Sequence, residues 1–157
     1  MRRKDREVTD INEIKDILSK AEVLRLALNN GEYPYILPVN FGFKADGEKI
    51  TLFFHGSNKG TKHDIIKNDA HAAFEVDCGH MLIKPSGDIS CTASYTYESV
   101  IGHGVVKKAS DEEKGPLLSA LLHHYGLPAS NLSPEHLKNT TVYKIEVKSC
   151  TAKRRKA

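Results

Sequence analysis

The chain has 157 residues, of which 39% are hydrophobic, and its 23 basic and 20 acidic side chains give a net charge of +3. This length predicts a single domain over residues 1–157. No run approaches the roughly 18 uninterrupted apolar residues of a spanning helix, so we expect no membrane insertion. The charged first twenty residues contain no apolar segment like that of a secretory signal, and a cytoplasmic location is expected.

The basic excess is concentrated at the two ends of the chain. Three basic residues precede Asp5 and four lie at 153–156, so the remaining chain has 16 basic against 20 acidic residues, a net charge of −4. A nucleic-acid-binding domain is expected to have a basic body, so nucleic acid is not an expected partner. The termini, residues 1–6 and 153–157, are predicted to be flexible and solvated.

Hydrophobic periodicity predicts about six strands and a few short helices. The capping-box spacing of Asp10 and Glu13 indicates a first helix over residues 10–20. In chain order, strands are predicted over residues 23–28, 33–43, 49–55, 70–77, 89–108 and 141–147, with further helices over 62–68, from Ser110 to Gly126 and from Ser133. Because mostly short turns join the strands, the expected fold is mainly β (α+β), an antiparallel sheet that curls into a barrel.

Two of these strands contain residues that disfavour a regular ladder. Proline lacks a backbone N–H, so Pro34 and Pro38 predict that the strand over 33–43 lies at a sheet edge, bends, or leaves one side free for another group to bond. Gly102 and Gly104 predict a bulge in the strand over 89–108.

The loop after the third strand is a candidate anion site. It carries small polar residues and runs into a helix start: Gly56, Ser57, Gly60 and Thr61. Free backbone amides and the positive end of a helix dipole favour an anion there, and Lys62 adds a charge suited to phosphate. The spacing differs from that of a P-loop, and an ordinary polar connection is the alternative. His55 precedes the loop, as a functional residue or as a structural one.

The segment 33–43 has a second interpretation beside that of a distorted edge strand. An amide side chain, Asn40, stands between large apolar residues, and such an edge can offer backbone groups to a planar heterocycle while Val39 or Phe41 packs on its face. The three cysteines are odd in number and widely spaced, which predicts reduced thiols. None of the histidine and cysteine spacings is a familiar zinc motif, so no metal is expected.

Short segments spread over some 150 residues carry a resemblance by their order and spacing. They are RRKDRE at 2–7, PYILPVNFGF at 34–43, LFFHGS at 52–57 with Gly60 and Lys62, YESVIGHG at 97–104, and TAK at 151–153. Together they resemble the flavin-binding split-barrel superfamily related to pyridoxamine phosphate oxidase, and within it the nitroimidazole-resistance (Nim) branch.

The resemblance implies a six-stranded antiparallel split barrel that forms a homodimer. Two flavins would lie at the dimer interface, each touched by both subunits. FMN is the implied cofactor, with FAD as the alternative, and a small-molecule electron acceptor and a reductant are the implied further partners.

The resemblance also implies roles for individual residues. The flavin ring would be lined by Pro38, Val39, Asn40 and Phe41. The phosphate would be held by Gly56, Ser57, Thr61 and Lys62, with the register between Thr61 and His63 left open. From the neighbouring strand or the other subunit would come Tyr97, Ser99 and Val100, with Lys153 close by. His55 would face the flavin and the substrate and is the expected catalytic residue.

The implied activity is that of an FMN-dependent oxidoreductase of nitroreductase type, which passes electrons to a nitroaromatic acceptor and so confers nitroimidazole antibiotic resistance. The alternative is a non-catalytic module on the same barrel that binds, stores or senses flavin or haem. In the haem case, one of the histidines would be the axial ligand.

Overall fold

Eight β-strands and four α-helices make up the part of the chain that the computed structural model describes, residues 3–87, 89–129 and 132–156. The strands are β1 (Glu7–Val8), β2 (Leu24–Leu28), β3 (Tyr35–Val39), β4 (Phe41–Asp46), β5 (Lys49–Ser57), β6 (His71–Ile83), β7 (Ser94–Lys108) and β8 (Thr140–Arg155). The helices are α1 (Ile11–Lys20), α2 (Thr61–Asn68), α3 (Asp111–His124) and α4 (Pro134–Asn139). None of these helices is long and apolar enough to cross a membrane.

The strands pair in the order β3-β2-β6-β7-β8-β5-β4, and β1 adds to β8. Every pairing is antiparallel. The two ends of this order, β3 and β4, are separated in the chain by Asn40 alone. Because neighbouring residues therefore belong to opposite edges, the sheet must curl into a barrel with a seam between β3 and β4. The predicted antiparallel, mainly β fold is confirmed.

The sheet has eight strands where six were expected. The predicted strand over 33–43 divides at Asn40 into β3 and β4, and the short β1 was not predicted. Pro38 does lie in an edge strand, where its missing N–H removes no bond from the interior of the sheet. The predicted bulge is also present, since the pairing of β7 with β8 shifts register between His103 and Gly104.

The C-terminal strand is longer than the sequence pattern predicts. It continues past residue 147 to Arg155, because it pairs on one side with β7 and on the other with β1, in the register Glu7↔Lys153. Residues 153–155 were expected to be flexible, and that prediction is wrong for this part of the tail. The polar outward side chains of this segment hide the strand from a local hydrophobicity pattern.

Two buried clusters lie on opposite faces of the sheet. The barrel interior contains Phe54 together with the buried side of α1, including Ile17 and Leu18. Phe53, the preceding residue, points to the outer face and packs with α3, as expected because successive strand residues alternate between faces. Helix α3 therefore covers the outer face of the barrel next to β4 and β5.

Candidate functional site

The loop between β5 and α2 brings a cation and a helix start together. Gly60 precedes α2 with a φ of 130°, and no side chain caps the helix. A Cβ atom built on Gly56 would lie 2.9 Å from both Cε and Nζ of Lys62, so the Lys62 ammonium group lies directly against the Gly56 backbone. The helix N-terminus, its dipole and this ammonium group form an anion cradle, a name used below for Gly56, Gly60 and Lys62.

His63 fixes the cradle to the barrel. Its Nε2 lies 2.8 Å from the Ser57 carbonyl oxygen, and its Nδ1 lies 2.6 Å from the Tyr143 hydroxyl. A carbonyl oxygen only accepts, so Nε2 carries the hydrogen and, in the neutral ring, Nδ1 accepts from Tyr143. His63 is thus turned toward β8, and Lys62, which lies against Gly56, offers a cation at the helix start. Thr61 and Ser57 are exposed beside it.

His55 stands at the junction of two cavities. One, of about 380 Å³, is lined with His55 by Val23, Pro38, Val39 and Asn40. We call it the seam cavity, because its lining includes the junction of β3 and β4. The other, of about 330 Å³, lies beside α3 and α4. His55 is next to Gly56 in the chain, so the seam cavity and the anion cradle meet at consecutive residues.

The His55 imidazole is suited to contact a ligand. Desolvation lowers its pKa below the ordinary value of 6.5, which favours the neutral ring at neutral pH. The described residues form no hydrogen bond to this ring, although part of it is open to solvent. Either ring nitrogen can therefore bond a bound molecule or coordinate a metal.

The four residues predicted to line a flavin ring, 38–41, do not all face the same cavity. Pro38, Val39 and Asn40 line the seam cavity. Phe41 is fully buried in the barrel interior, with its ring centroid 4.8 Å from that of His124. The Phe41 N–H donates to the Tyr125 hydroxyl at 3.0 Å, so neither its side chain nor its N–H faces the cavity.

The predicted flavin contacts on β7 and β8, among them Ser99 and Lys153, lie far along the sheet from the anion cradle. Gly56 pairs with Thr141, whereas Ser99 pairs with Lys153, twelve residues further along β8. At about 3.3 Å per residue this is roughly 40 Å of strand. This length follows the curved strand, and none of the strand pairings joins Ser99 or Lys153 to a residue of the anion cradle.

The outer face of the sheet carries these predicted contacts and an apolar patch. Val100 is buried in the barrel interior, so Ser99 and Ile101 project from the opposite face. Ile101 and Ile36 are 53% and 63% exposed on that face. Ladder pairing joins Ile36 through Ala27 and Ala73 to His103. We call these outward apolar side chains the outer patch, in which Ala27 is half-buried and the other three are exposed: Ile36, Ala27, Ala73 and Ile101. The side chain of Val100, a predicted flavin contact, faces away from it.

Sequence reasoning missed two features of the site. The Tyr125 hydroxyl accepts from Phe41 and donates to the Glu22 carbonyl at 2.6 Å, which ties the end of α3 to the seam. The cavity beside α3 and α4 was not predicted either, because its walls are far apart in the chain. Among the described residues, no group of three or more His, Cys, Asp or Glu side chains is placed to hold a metal ion.

Proteins of known family and structure share this architecture. A family model described as Pyridoxamine 5'-phosphate oxidase matches residues 10–154. No curated protein matches the chain. A Bacteroides thetaiotaomicron structure, whose name proposes 5-nitroimidazole antibiotic resistance, is 26% identical, with a TM-score of 0.80 over 94% of this chain and 86% of that chain.

Two further solved structures share the fold at lower identity. The FAD and haem binding protein from Mycobacterium smegmatis is 21% identical, with a TM-score of 0.78 over 97% of this chain and 74% of that chain. The flavocytochrome Anf3 from Azotobacter vinelandii is 16% identical, with a TM-score of 0.78 over 100% of this chain and 72% of that chain. Since the family model matches residues 10–154, nearly the whole length, the chain belongs to the pyridoxamine 5'-phosphate oxidase family and its split-barrel superfamily, as the sequence resemblance predicts.

Proposed function

We propose that the protein is a flavin-dependent oxidoreductase that reduces a small acceptor of the nitroimidazole or nitroaromatic type. The observation that carries the proposal is the anion cradle, where the Lys62 ammonium group lies against Gly56 at an uncapped helix start. The 26% identical structure named for nitroimidazole resistance supports the acceptor class.

The residues present fit a flavin mononucleotide. A phosphate needs N–H donors and a cation, which the start of α2 and Lys62 offer. A planar ring needs apolar surface and a few polar groups, and the seam cavity offers both in similar amounts, from Pro38 and Val39 on one hand and Asn40 and His55 on the other. The cradle and the seam cavity lie at Gly56 and His55, consecutive residues near the end of β5 that face opposite sides of the sheet, so one ligand with a ring and a phosphate would pass around the strand end.

Bound flavin supplies the electron-transfer chemistry, and the protein supplies binding and orientation. Lys62 and the α2 amides would hold the phosphate. Pro38 and Val39 would contact the ring. His55, whose pKa desolvation lowers below its ordinary value, orients the acceptor and can hold or release a proton at a ring nitrogen.

The same proposal includes a homodimer. Tyr97, Ser99 and Lys153 lie on the outer face, about 40 Å of strand away from the cradle of their own chain. They share this face with the exposed outer patch. A second copy packed on the patch would bury its apolar side chains and bring these three side chains toward the other copy's flavin.

Reconstitution of the full chain with FMN and with FAD tests this proposal. We expect a yellow protein whose FMN affinity falls at least about tenfold in Lys62→Met, because the phosphate loses its cation. His55→Ala should keep the flavin bound and slow the reduction of a nitroimidazole, measured by single-turnover oxidation of the reduced flavin. Protein that takes up neither flavin would refute the proposal, and an unchanged rate in His55→Ala would refute the role of His55.

Haem binding is the second candidate, and the unbonded, neutral His55 ring favours it. Axial ligation of iron needs a neutral imidazole with a free nitrogen. Reconstitution with haemin should then give a Soret band that His55→Ala removes and that His71→Ala, an exposed histidine of β6, keeps. A flavin that binds tightly but is reduced by no donor would instead favour storage or sensing.

A further inference from the structure

The second cavity beside His55 has an apolar lining assembled from distant parts of the chain. It lies between α3, the segment before α4 and the end of β5, and its volume is about 330 Å³. Four leucines supply most of its surface: Leu118, Leu121, Leu122 and Leu132. Its polar groups include the His55 and His136 imidazoles and the Thr140 hydroxyl. We call it the leucine cavity.

The lining of the leucine cavity favours neutral ligands over charged ones. Among the described residues that form it, there is no Asp, Glu, Lys or Arg side chain. A charged ligand would lose its hydration there without gaining an ion pair, which is costly. A neutral ring compound would bury its apolar surface against the leucines and keep a hydrogen bond to an imidazole.

The volume of the leucine cavity limits the size of its ligand. Ligand cavities of about 300 to 1,000 Å³ hold molecules up to the size of drugs, so this cavity suits a compound of one ring. His55 is a lining residue of both the leucine cavity and the seam cavity. The two cavities are therefore neighbours at this residue.

We propose that the leucine cavity is the acceptor site, and that it takes neutral, single-ring nitro compounds and excludes anionic ones. This inference rests on the proposed function for its chemistry, because it places the acceptor in a cavity that shares the lining residue His55 with the seam cavity. The site itself, as a place where a neutral ring binds, is defined by the lining alone.

The test fills the cavity and measures binding separately from activity. Leu132→Trp places an indole in the cavity, and Leu127→Trp is its matched control, because Leu127 lies in the same segment, is 51% exposed and does not line the cavity. Equilibrium dialysis of nitrobenzene and 4-nitrobenzoate, two probes that differ by one carboxylate, is carried out on the full chain with and without FMN.

We expect Leu132→Trp to weaken nitrobenzene binding at least about tenfold, Leu127→Trp to change it less than about twofold, and wild type to bind 4-nitrobenzoate at least about tenfold more weakly than nitrobenzene. Leu118→Gln, which makes one wall polar, should weaken nitrobenzene binding in the same way and guards against misfolding of the tryptophan variant. Equal binding of the two probes, or nitrobenzene binding that neither cavity variant alters, would overturn the inference.

The flavin measurement separates the two proposals. Flavin uptake by all three variants, with loss of nitrobenzene binding only in the two cavity variants, supports both. Flavin uptake with nitrobenzene binding unaltered overturns the acceptor site and leaves the flavoprotein standing. If the protein takes up no flavin but binds nitrobenzene, and Leu132→Trp abolishes that binding, the proposed function is overturned. The leucine cavity then remains a site for neutral rings.

Discussion

Gly56 and Gly104 show how the same small residue serves two different purposes. A Cβ atom on Gly104 would collide with the backbone carbonyl of Glu146 on the neighbouring strand, which cannot move without breaking the ladder. A Cβ atom on Gly56 would meet only the end of the Lys62 side chain, which can move. Gly104 is therefore needed for the fold, whereas Gly56 is needed for the position of one charge.

Gly56→Ala should separate binding from stability. The new methyl group displaces the Lys62 ammonium from the anion cradle, so we expect FMN affinity to fall about tenfold while the free energy of unfolding changes by less than about 1 kcal/mol. Flavin fluorescence titration and urea unfolding measure the two quantities. Gly115→Ala, in α3 with nothing within 4 Å of its built Cβ, is the control and should leave FMN affinity unchanged. Equal FMN affinity in Gly56→Ala and wild type would contradict the assignment of the cradle.

The candidate site could be predicted in part from single residues. The loop composition around Gly56 and Lys62 indicated an anion site, and the structure places both residues together. Phe41 could not be assigned, because whether a strand residue faces the core depends on where β3 ends and β4 begins. The separation of Ser99 from the cradle depends on strand register, which no local pattern contains.

At the scale of elements, α1 and the end of β8 are joined by a cluster of charges. Arg154, whose side chain is 13% exposed, forms ion pairs with Glu13 and Asp16 of α1 and with Glu98 of β7. Lys20 Nζ adds bonds of 2.7 Å to both Asp16 and Glu98. The C-terminal residues expected to be a solvated tail thus anchor a helix to the barrel.

Arg154→Met should destabilise the fold by about 2–3 kcal/mol, because it leaves the mostly buried Glu98 with one cation instead of two. Arg25→Met is the matched control: Arg25 also bonds two carboxylates, Glu75 and Asp77, but its side chain is 48% exposed. An exposed pair contributes about 0–1 kcal/mol, so the control should lose no more than that. Equal losses in urea unfolding would show that burial does not strengthen the cluster.

The cost of Arg154→Met should depend on pH. Burial opposes ionisation of Glu98, but hydrogen bonds from Lys20 and Arg154 outweigh it and lower its pKa. A carboxyl group with a lowered pKa stabilises the fold above its unfolded value and loses that contribution as the pH falls through its folded value. The difference between wild type and variant should therefore be full at pH 7 and shrink below roughly pH 4. A difference that is constant from pH 7 to pH 3 would contradict this origin.

At the scale of the whole molecule, one part of the barrel's outer face is covered by a helix and another part is exposed. Helix α3 packs on the outer face beside β4 and β5, whereas the outer patch on β3, β2, β6 and β7 is exposed. The antiparallel barrel could be predicted from alternating strands and short turns. The strand count could not, because the division at Asn40 follows from the sheet's closure and not from any local signal.

Ile101→Glu should separate the proposed dimer into monomers. A carboxylate at this position replaces apolar contact surface and stands opposite Glu75 on β6, so it loses hydration and meets a like charge on association. We expect half the wild-type mass in sedimentation and much weaker FMN binding, because each flavin then lacks the side chains of a second copy. Leu127→Glu, at an equally exposed leucine outside the patch, should keep both. A wild-type protein that sediments as a monomer, or an Ile101→Glu variant with unchanged mass, would refute the dimer on this face.

The junction at Asn40 has a consequence for local opening of the barrel. The first and last strands in the sheet order are tethered by one residue, so their hydrogen-bond partners lie on opposite sides of the seam while their backbones cannot drift apart. Any molecule held against Pro38, Val39 and Asn40 contacts the end of β3 and the residue that tethers it to β4. Its arrival should slow amide hydrogen exchange in β3 and in the start of β4 together, although among the described strands β3 pairs with β2 alone and β4 with β5 alone. The ligand would then link the two sheet edges, which are not hydrogen-bonded to each other.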